Sequence, residues 1–172
     1  VQQVIGLTDS REVAEITADL LARYFAYELA AVFIADERGN LTMGGCGGAS
    51  QNVVKRAKKS VEYPVIGGVT GHVFETGEGV VINDVLQDKL YTPIKGWQAG
   101  SEMCVAIREG SKILGIIDVE SSSRNAFTHN DFIALESLAG ILATVITSAD
   151  QYQRLQITIH QLRSMQLELH DR

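Results

Sequence analysis

Two neighbouring runs, Ser101–Arg108 and Lys112–Ser121, joined by Glu109-Gly110-Ser111, constrain this chain most. Side chains of an extended strand alternate between two faces. In the first run Ser101, Met103, Val105 and Ile107 point one way, and Glu102, Cys104 and Ala106 the other. In the second, Ile113, Gly115, Ile117 and Val119 share a face, and Leu114, Ile116, Asp118 and Glu120 share the opposite one. The pattern predicts a hairpin that is apolar on one side and interrupted by carboxylates on the other. Paired in this way, the strands bring Glu102, Asp118 and Glu120 to one surface. Carboxylates withdrawn from water need partners. That surface therefore suits an amine, a guanidinium or another donor-rich ligand, unless backbone amides, waters or Lys and Arg side chains satisfy it.

The segments before the hairpin read as its support. Residues 8–27 are predicted helical, with Asp9 and Glu12 at capping-box spacing and Val13, Ile16, Leu20, Leu21 and Tyr24 at helical intervals. Leu29–Ala35 is a strand by its β-branched and aromatic content, Asp36–Asn40 a turn, and Leu41–Cys46 the partner strand. The glycines at 44, 45, 47 and 48 predict an irregular strand end. A short helix is expected over Gln51–Lys59, followed by an extended Tyr63-Pro64-Val65. Gly67 and Gly68 then open a two-turn helix over Val69–Thr76 that Gly77 stops, and Val80–Ile82 reads as a strand. The long, Pro- and Gly-bearing stretch Asn83–Gly100 is predicted to be a loop of functional kind, a lid. Within and around it, Asp84, Tyr91, Trp97 and His72 are candidate ligand contacts. Each has a structural alternative: capping, packing the lid, or simple helix-surface placement.

Beyond the hairpin, Thr128 and Asp131 have N-cap and third-position spacing for a final helix that meets no proline before the chain ends. From Leu138 a heptad runs through Ile141, Val145, Ser148, Tyr152, Leu155, Ile159, Leu162, Gln166 and Leu169. β-branched residues at two a positions and leucines at d predict a parallel two-stranded coiled coil. The expected division is a domain over 1–148 and a coiled-coil linker over 149–172. The chain starts with Val and stops within the heptad pattern, so it reads as a piece of a longer protein.

Six pieces of this sequence, in order, resemble the GAF domain, a small sensor module of signalling proteins. They are Gly68–Gly77, Ile82-Asn83-Asp84-Val85, Asp88 with Tyr91, Ser101–Val105, Leu114–Ser121 and Phe127–Asp131. The resemblance implies an α/β (α+β) fold of GAF/PAS-like kind. A twisted antiparallel sheet would carry the terminal helices on one face, and a ligand pocket would lie on the other, roofed by Val65–Gly100. It also implies homodimerisation through the N- and C-terminal helices. Ser101-Glu102 and Asp118-Val119-Glu120 resemble the segments with which free methionine sulfoxide reductases of this family hold a substrate amino group. Ser101 thereby joins Glu102, Asp118, Glu120, Asp84, Tyr91, Trp97 and His72 as a candidate ligand-binding residue.

Other chemistries are narrowed by the same residues. Val65–Gly100 contains no Cys, which argues against a covalently attached bilin and against the thiolate that attack on a sulfoxide requires. Cys46 and Cys104 form no CxxC and no metal-ligand spacing, and they suit a reducing cytoplasm. A lone His72 is weak support for heme, so no cofactor, no metal site and no catalytic activity are expected. The net charge of −6 is mild, and the one basic cluster, Lys55, Arg56, Lys58 and Lys59, fits a solvated helix, so no nucleic-acid partner is expected. No single apolar run reaches the ~20 residues of a membrane span, and no membrane partner is expected. The predicted role is sensory. A small molecule under the lid biases a dimeric helix that leads to an output domain, a diguanylate cyclase or a histidine kinase. Glu168-Leu169-His170-Asp171 resembles the phospho-acceptor box of one kinase class. The alternatives are a ligand-free dimerisation scaffold and, at greater distance, a free methionine sulfoxide reductase-like enzyme.

Overall fold

The computed structural model describes residues 9–48, 52, 67–94 and 96–170. The helix expected at 51–59 and the extended 63–65 segment lie outside the described residues, apart from Asn52. Among the described residues, five antiparallel strands form one sheet in the order β2-β1-β5-β4-β3. They are β1 (Leu29–Ala35), β2 (Leu41–Gly47), β3 (Val80–Ile82), β4 (Ser101–Glu109) and β5 (Lys112–Ser121). Helices α1 (Ser10–Phe25) and α3 (His129–His170) pack on one face, and α2 (Gly68–Thr76) lies against the other.

The alternation read from the hairpin sorts two cores. Val32, Met103, Val105, Ile107, Ile117 and Val119 meet Val13, Ala18 and Leu21 of α1 and Leu135, Leu142 and Ile146 of α3. On the opposite face Leu29, Ala31, Phe33, Cys104 and Ile116 meet Val69 and Val73 of α2 and Val85 and Ala99 of the lid. The expected assignment fails at one end of the hairpin. The register shifts so that Ile107 pairs with Gly115 but Arg108 pairs with Ile113, leaving Leu114 as an extra residue. A bulge of this kind reverses the alternation beyond it. Leu114 consequently packs with the helices and Ile113 with the lid-side core.

Local signals explain the element ends. Asp9 accepts from the Arg11 amide at 2.8 Å and caps α1. Thr128 and Asp131 cap α3 reciprocally: Asp131 Oδ2 accepts from the Thr128 amide at 2.6 Å, and Thr128 Oγ1 accepts from the Asp131 amide at 3.3 Å. Gly77, at φ +73, gives its amide to the Val73 carbonyl and ends α2. The glycine-rich part of β2 has the expected irregularity, a register shift that leaves Gly44 as an extra residue opposite Val32 and Phe33, but it is not the end of the strand. The strand continues through Gly47, and a Cβ on Gly45 would lie 2.4 Å from Glu15 Cα. The missing side chains let the α1 backbone settle directly on the sheet.

α3 is 42 residues, or about 63 Å, long and runs unbroken through the expected boundary at 148/149. Its first half is buried against the sheet by Leu135, Ala139, Leu142, Ala143, Ile146 and Ala149. Past Tyr152 the described side chains are almost all exposed, including Leu155 and Leu162 of the heptad. By length and composition α3 is apolar enough to cross a membrane, with mean hydropathy 1.8 in its best window, a third of which is buried. A core helix passes the same test, and the first half of α3 packs as one against the sheet.

Candidate functional site

The acidic residues converge because of strand register. Glu102 of β4 stands directly opposite Glu120 of β5, and Asp118 stands opposite Cys104, one step along the same face. On the flanks, β1 sets Leu29 beside Glu120 and Ala31 beside Asp118, while β3 sets Ile82 beside Glu102. Three carboxyl groups are thus walled by apolar side chains on the face away from α1 and α3. They are only 3–5% exposed, and one oxygen from each lies within 4.8 Å of the others.

This arrangement is electrostatically unfavourable for three ionised carboxylates. Burial first, and then the charges of Asp118 and Glu120, push Glu102 well above the usual carboxylate range. Burial also raises Asp118, against the lowering effect of its hydrogen bond with Glu102. Glu120 is pushed up to about 8 by burial and by Asp118, opposed by the bond from Trp97. A hydrogen bond between the Glu102 and Asp118 carboxyls needs one of the two to be protonated. Glu102 Oε2 and Asp118 Oδ1 remain buried with no hydrogen-bond partner. The charged groups acting on the three are themselves acids, with Asp88 adding to the pressure on Glu102.

Tyr91 and Trp97 come down from the lid onto this floor. Trp97 Nε1 donates to Glu120 Oε2 at 2.7 Å, and both rings pack on the lid-side core. The Tyr91 hydroxyl is buried without a well-formed hydrogen bond, and burial, followed by Glu120 and Glu102, raises its pKa. The other candidates go elsewhere. Asp84 caps the short turn Val85–Gln87 through the Leu86 amide and pairs with Arg124 at 3.4 Å. Ser101 lies on the face of Met103 and Val105, where its hydroxyl donates to the Ser123 carbonyl at 2.8 Å and fastens the β5–α3 connection. His72 is half-buried on α2, and only its backbone carbonyl enters a described hydrogen bond, from Thr76. The site therefore comprises Glu102, Asp118 and Glu120 with Tyr91 and Trp97, while Asp84 and Ser101 hold structure together.

A cavity of about 440 Å³ lies beside the lid, lined by Leu86, Trp97, Ala99, Gly100, Ser122 and Arg124 among others. It shares Trp97 with the acidic floor but none of the three carboxyls. Among the described residues, the cavity opens at the lid's edge rather than over the three acids. A sequence signal for Tyr91 and Trp97 existed in their aromatic character. The alternation also put Cys104 on the face of Glu102, and it is enclosed there beside Asp118, where burial and then the acids raise its thiol pKa.

The family profile of the GAF domain matches residues 8–147, well over half of the chain, and the chain belongs to that family. No curated protein matches the sequence. Among solved structures it is similar to the free methionine-R-sulfoxide reductase of Neisseria meningitidis in complex with its substrate, with 22% identity and TM-score 0.73. That likeness covers 87% of this chain and 85% of the other. It is also similar to the GAF domain of an Acinetobacter phosphoenolpyruvate-protein phosphotransferase (19%, TM-score 0.69, covering 86% and 88%). A third is residues 122 to 287 of a methyl-accepting chemotaxis protein (21%, TM-score 0.71, covering 87% and 96%). At these identities the likeness is one of fold, and the fold occurs in signalling proteins and in enzymes alike. The expectation that this chain is no enzyme is accordingly overturned by its likeness to several free methionine-R-sulfoxide reductases.

Proposed function

We propose that this GAF domain is a cytoplasmic regulatory module that holds a small, positively charged molecule against Glu102, Asp118 and Glu120, beneath Tyr91 and Trp97. The observation that carries this reading is the pair of buried, unpartnered oxygens, Glu102 Oε2 and Asp118 Oδ1, on a floor with no cation among the described residues. A ligand bearing an ammonium or guanidinium group supplies both the charge and the donors that this floor lacks. Binding shifts the equilibrium between lid arrangements by the ligand's differential affinity for them. α3, paired with its copy in a homodimer along the heptad stripe, carries that bias to a following output domain, of diguanylate cyclase or histidine kinase type.

Thermal-shift measurement with primary amines, amino acids and guanidines tests this, because a ligand bound only by the native state raises the melting temperature. Stabilisation that disappears in Asp118→Asn supports the reading, and no response across the panel favours a dimerisation scaffold. The likeness to free methionine-R-sulfoxide reductases favours a second reading, in which the bound amine is that of free methionine sulfoxide and the molecule is turned over. Loss of free methionine sulfoxide with a thiol reductant present supports that second reading, and stabilisation without turnover supports the first.

A further inference from the structure

We propose that the acid floor is a divalent-cation site, in which Glu102, Asp118 and Glu120 ligate one hard metal ion of Ca²⁺ size. The inference rests on the reading of the floor as a receptor for positive charge and puts a metal ion in place of the organic cation. Three independent strands of geometry support it. First, each acid offers one oxygen, and all three lie within 4.8 Å of one another. Ca²⁺ binds oxygen at 2.3–2.6 Å, so ligands on opposite sides of it sit about 4.6–5.2 Å apart. The three oxygens fit around a single ion. An all-oxygen donor set selects Ca²⁺, Mn²⁺ or Mg²⁺ over Zn²⁺, which prefers nitrogen and sulfur.

Second, the donors are already withdrawn from water and from other partners. Glu102 and Asp118 are 4% and 5% exposed, and each keeps an oxygen with no hydrogen bond. A surface patch of acids has neither property. Third, the surroundings resemble the outer shell of a metal site. Trp97 Nε1 fixes the orientation of Glu120 by donating to Oε2 and leaves Oε1 for another partner. The Tyr91 hydroxyl, buried beside the acids without a well-formed hydrogen bond, is a further neutral oxygen.

Trp97 is the only tryptophan of the chain, which makes the test direct. Tb³⁺, a luminescent substitute for Ca²⁺, is titrated into the protein while the indole is excited. Sensitised emission that Ca²⁺ competes away is expected. Glu102→Gln and Asp118→Asn should each weaken Tb³⁺ binding by at least about ten-fold. Glu37→Gln, at an exposed acid paired with Arg154, should leave it unchanged. Melting curves of both floor variants confirm that they are folded. Absent emission, or emission equal in wild type and both floor variants, overturns the site. An amine that raises the melting temperature while Ca²⁺, Mn²⁺ and Tb³⁺ do not overturns the metal and leaves the small-molecule reading standing. Cation binding with a flat organic panel supports the metal and removes the organic ligand.

Discussion

The indole nitrogen of Trp97 lies 2.7 Å from Glu120 Oε2, and this one hydrogen bond ties the lid to the floor of the sheet across 23 residues of chain. It is the one described hydrogen-bond donor to the three acids from outside the cluster. It therefore sets both the position of the lid and the state of Glu120.

Trp97→Phe keeps most of the ring packing and removes the donor. Stability should fall by about 1–3 kcal/mol, the cost of leaving a buried acceptor unsatisfied. Urea unfolding followed by far-ultraviolet circular dichroism measures it. A variant as stable as wild type would show that the bond contributes nothing to the closed lid.

The acids also predict an inverted pH dependence. Their native-state pKa values are raised above ordinary carboxylate values, Asp118 to about 6 and Glu120 to about 8, and Glu102 is raised well above its ordinary value. Across that window the native state holds protons that the unfolded chain has lost, so stability falls as pH rises from the ordinary carboxylate range through about 8. Asp131, held low by hydrogen bonds from Thr128, acts in the opposite direction, in the acid range below that window. In the presence of a chelator, the melting temperature should be higher near pH 5.5 than near pH 8.5. Glu102→Gln should flatten the slope and stabilise the protein at the alkaline end. A wild-type profile that rises toward pH 8.5 would contradict the assignment.

Two glycines should respond in opposite senses. At Gly45 an added methyl would meet Glu15 Cα at 2.4 Å and the Ala14 carbonyl oxygen at 2.5 Å, so Gly45→Ala must push α1 off β2. The expected loss is about 1–3 kcal/mol. At Gly140, inside α3, nothing lies within 4 Å, and Gly140→Ala should add up to about 1 kcal/mol through helix propensity. Paired chemical melts of the two variants decide the point.

The heptad stripe gives the fourth expectation. Ile141, Tyr152, Leu155 and Leu162 are exposed on a single chain, and burying them takes a second helix. Sedimentation of the full chain should show a dimer, and truncation after Tyr152 should weaken association. Equal association of the two would remove the coiled coil from the account.

The sheet and its two faces were legible because a period of two separates Met103, Val105 and Ile107 from Glu102 and Cys104 without ambiguity. The reversal at Leu114 was not, since a bulge leaves no mark in composition. The acids lie sixteen to eighteen residues apart in sequence, from Glu102 to Asp118 and Glu120, so only cross-strand register could show how closely they meet. Ser101 entered the candidates through its likeness to a substrate-binding segment, while the alternation already put it on the face of Met103, where its hydroxyl bonds the Ser123 carbonyl. The glycines of β2 read as an irregular strand end, and their seating of α1 was hidden because a neighbour distant in sequence defines it.

The carboxyl ¹³C resonances of Glu102, Asp118 and Glu120, followed by pH titration of the labelled protein, test the central claim most directly. The account predicts that Glu102 and Glu120 titrate above the ordinary carboxylate range, and that each falls part of the way toward it when Asp118 is made neutral, the part due to burial remaining. Three independent titrations in the ordinary range, unaffected by that substitution, would mean solvated acids and no receptor for positive charge.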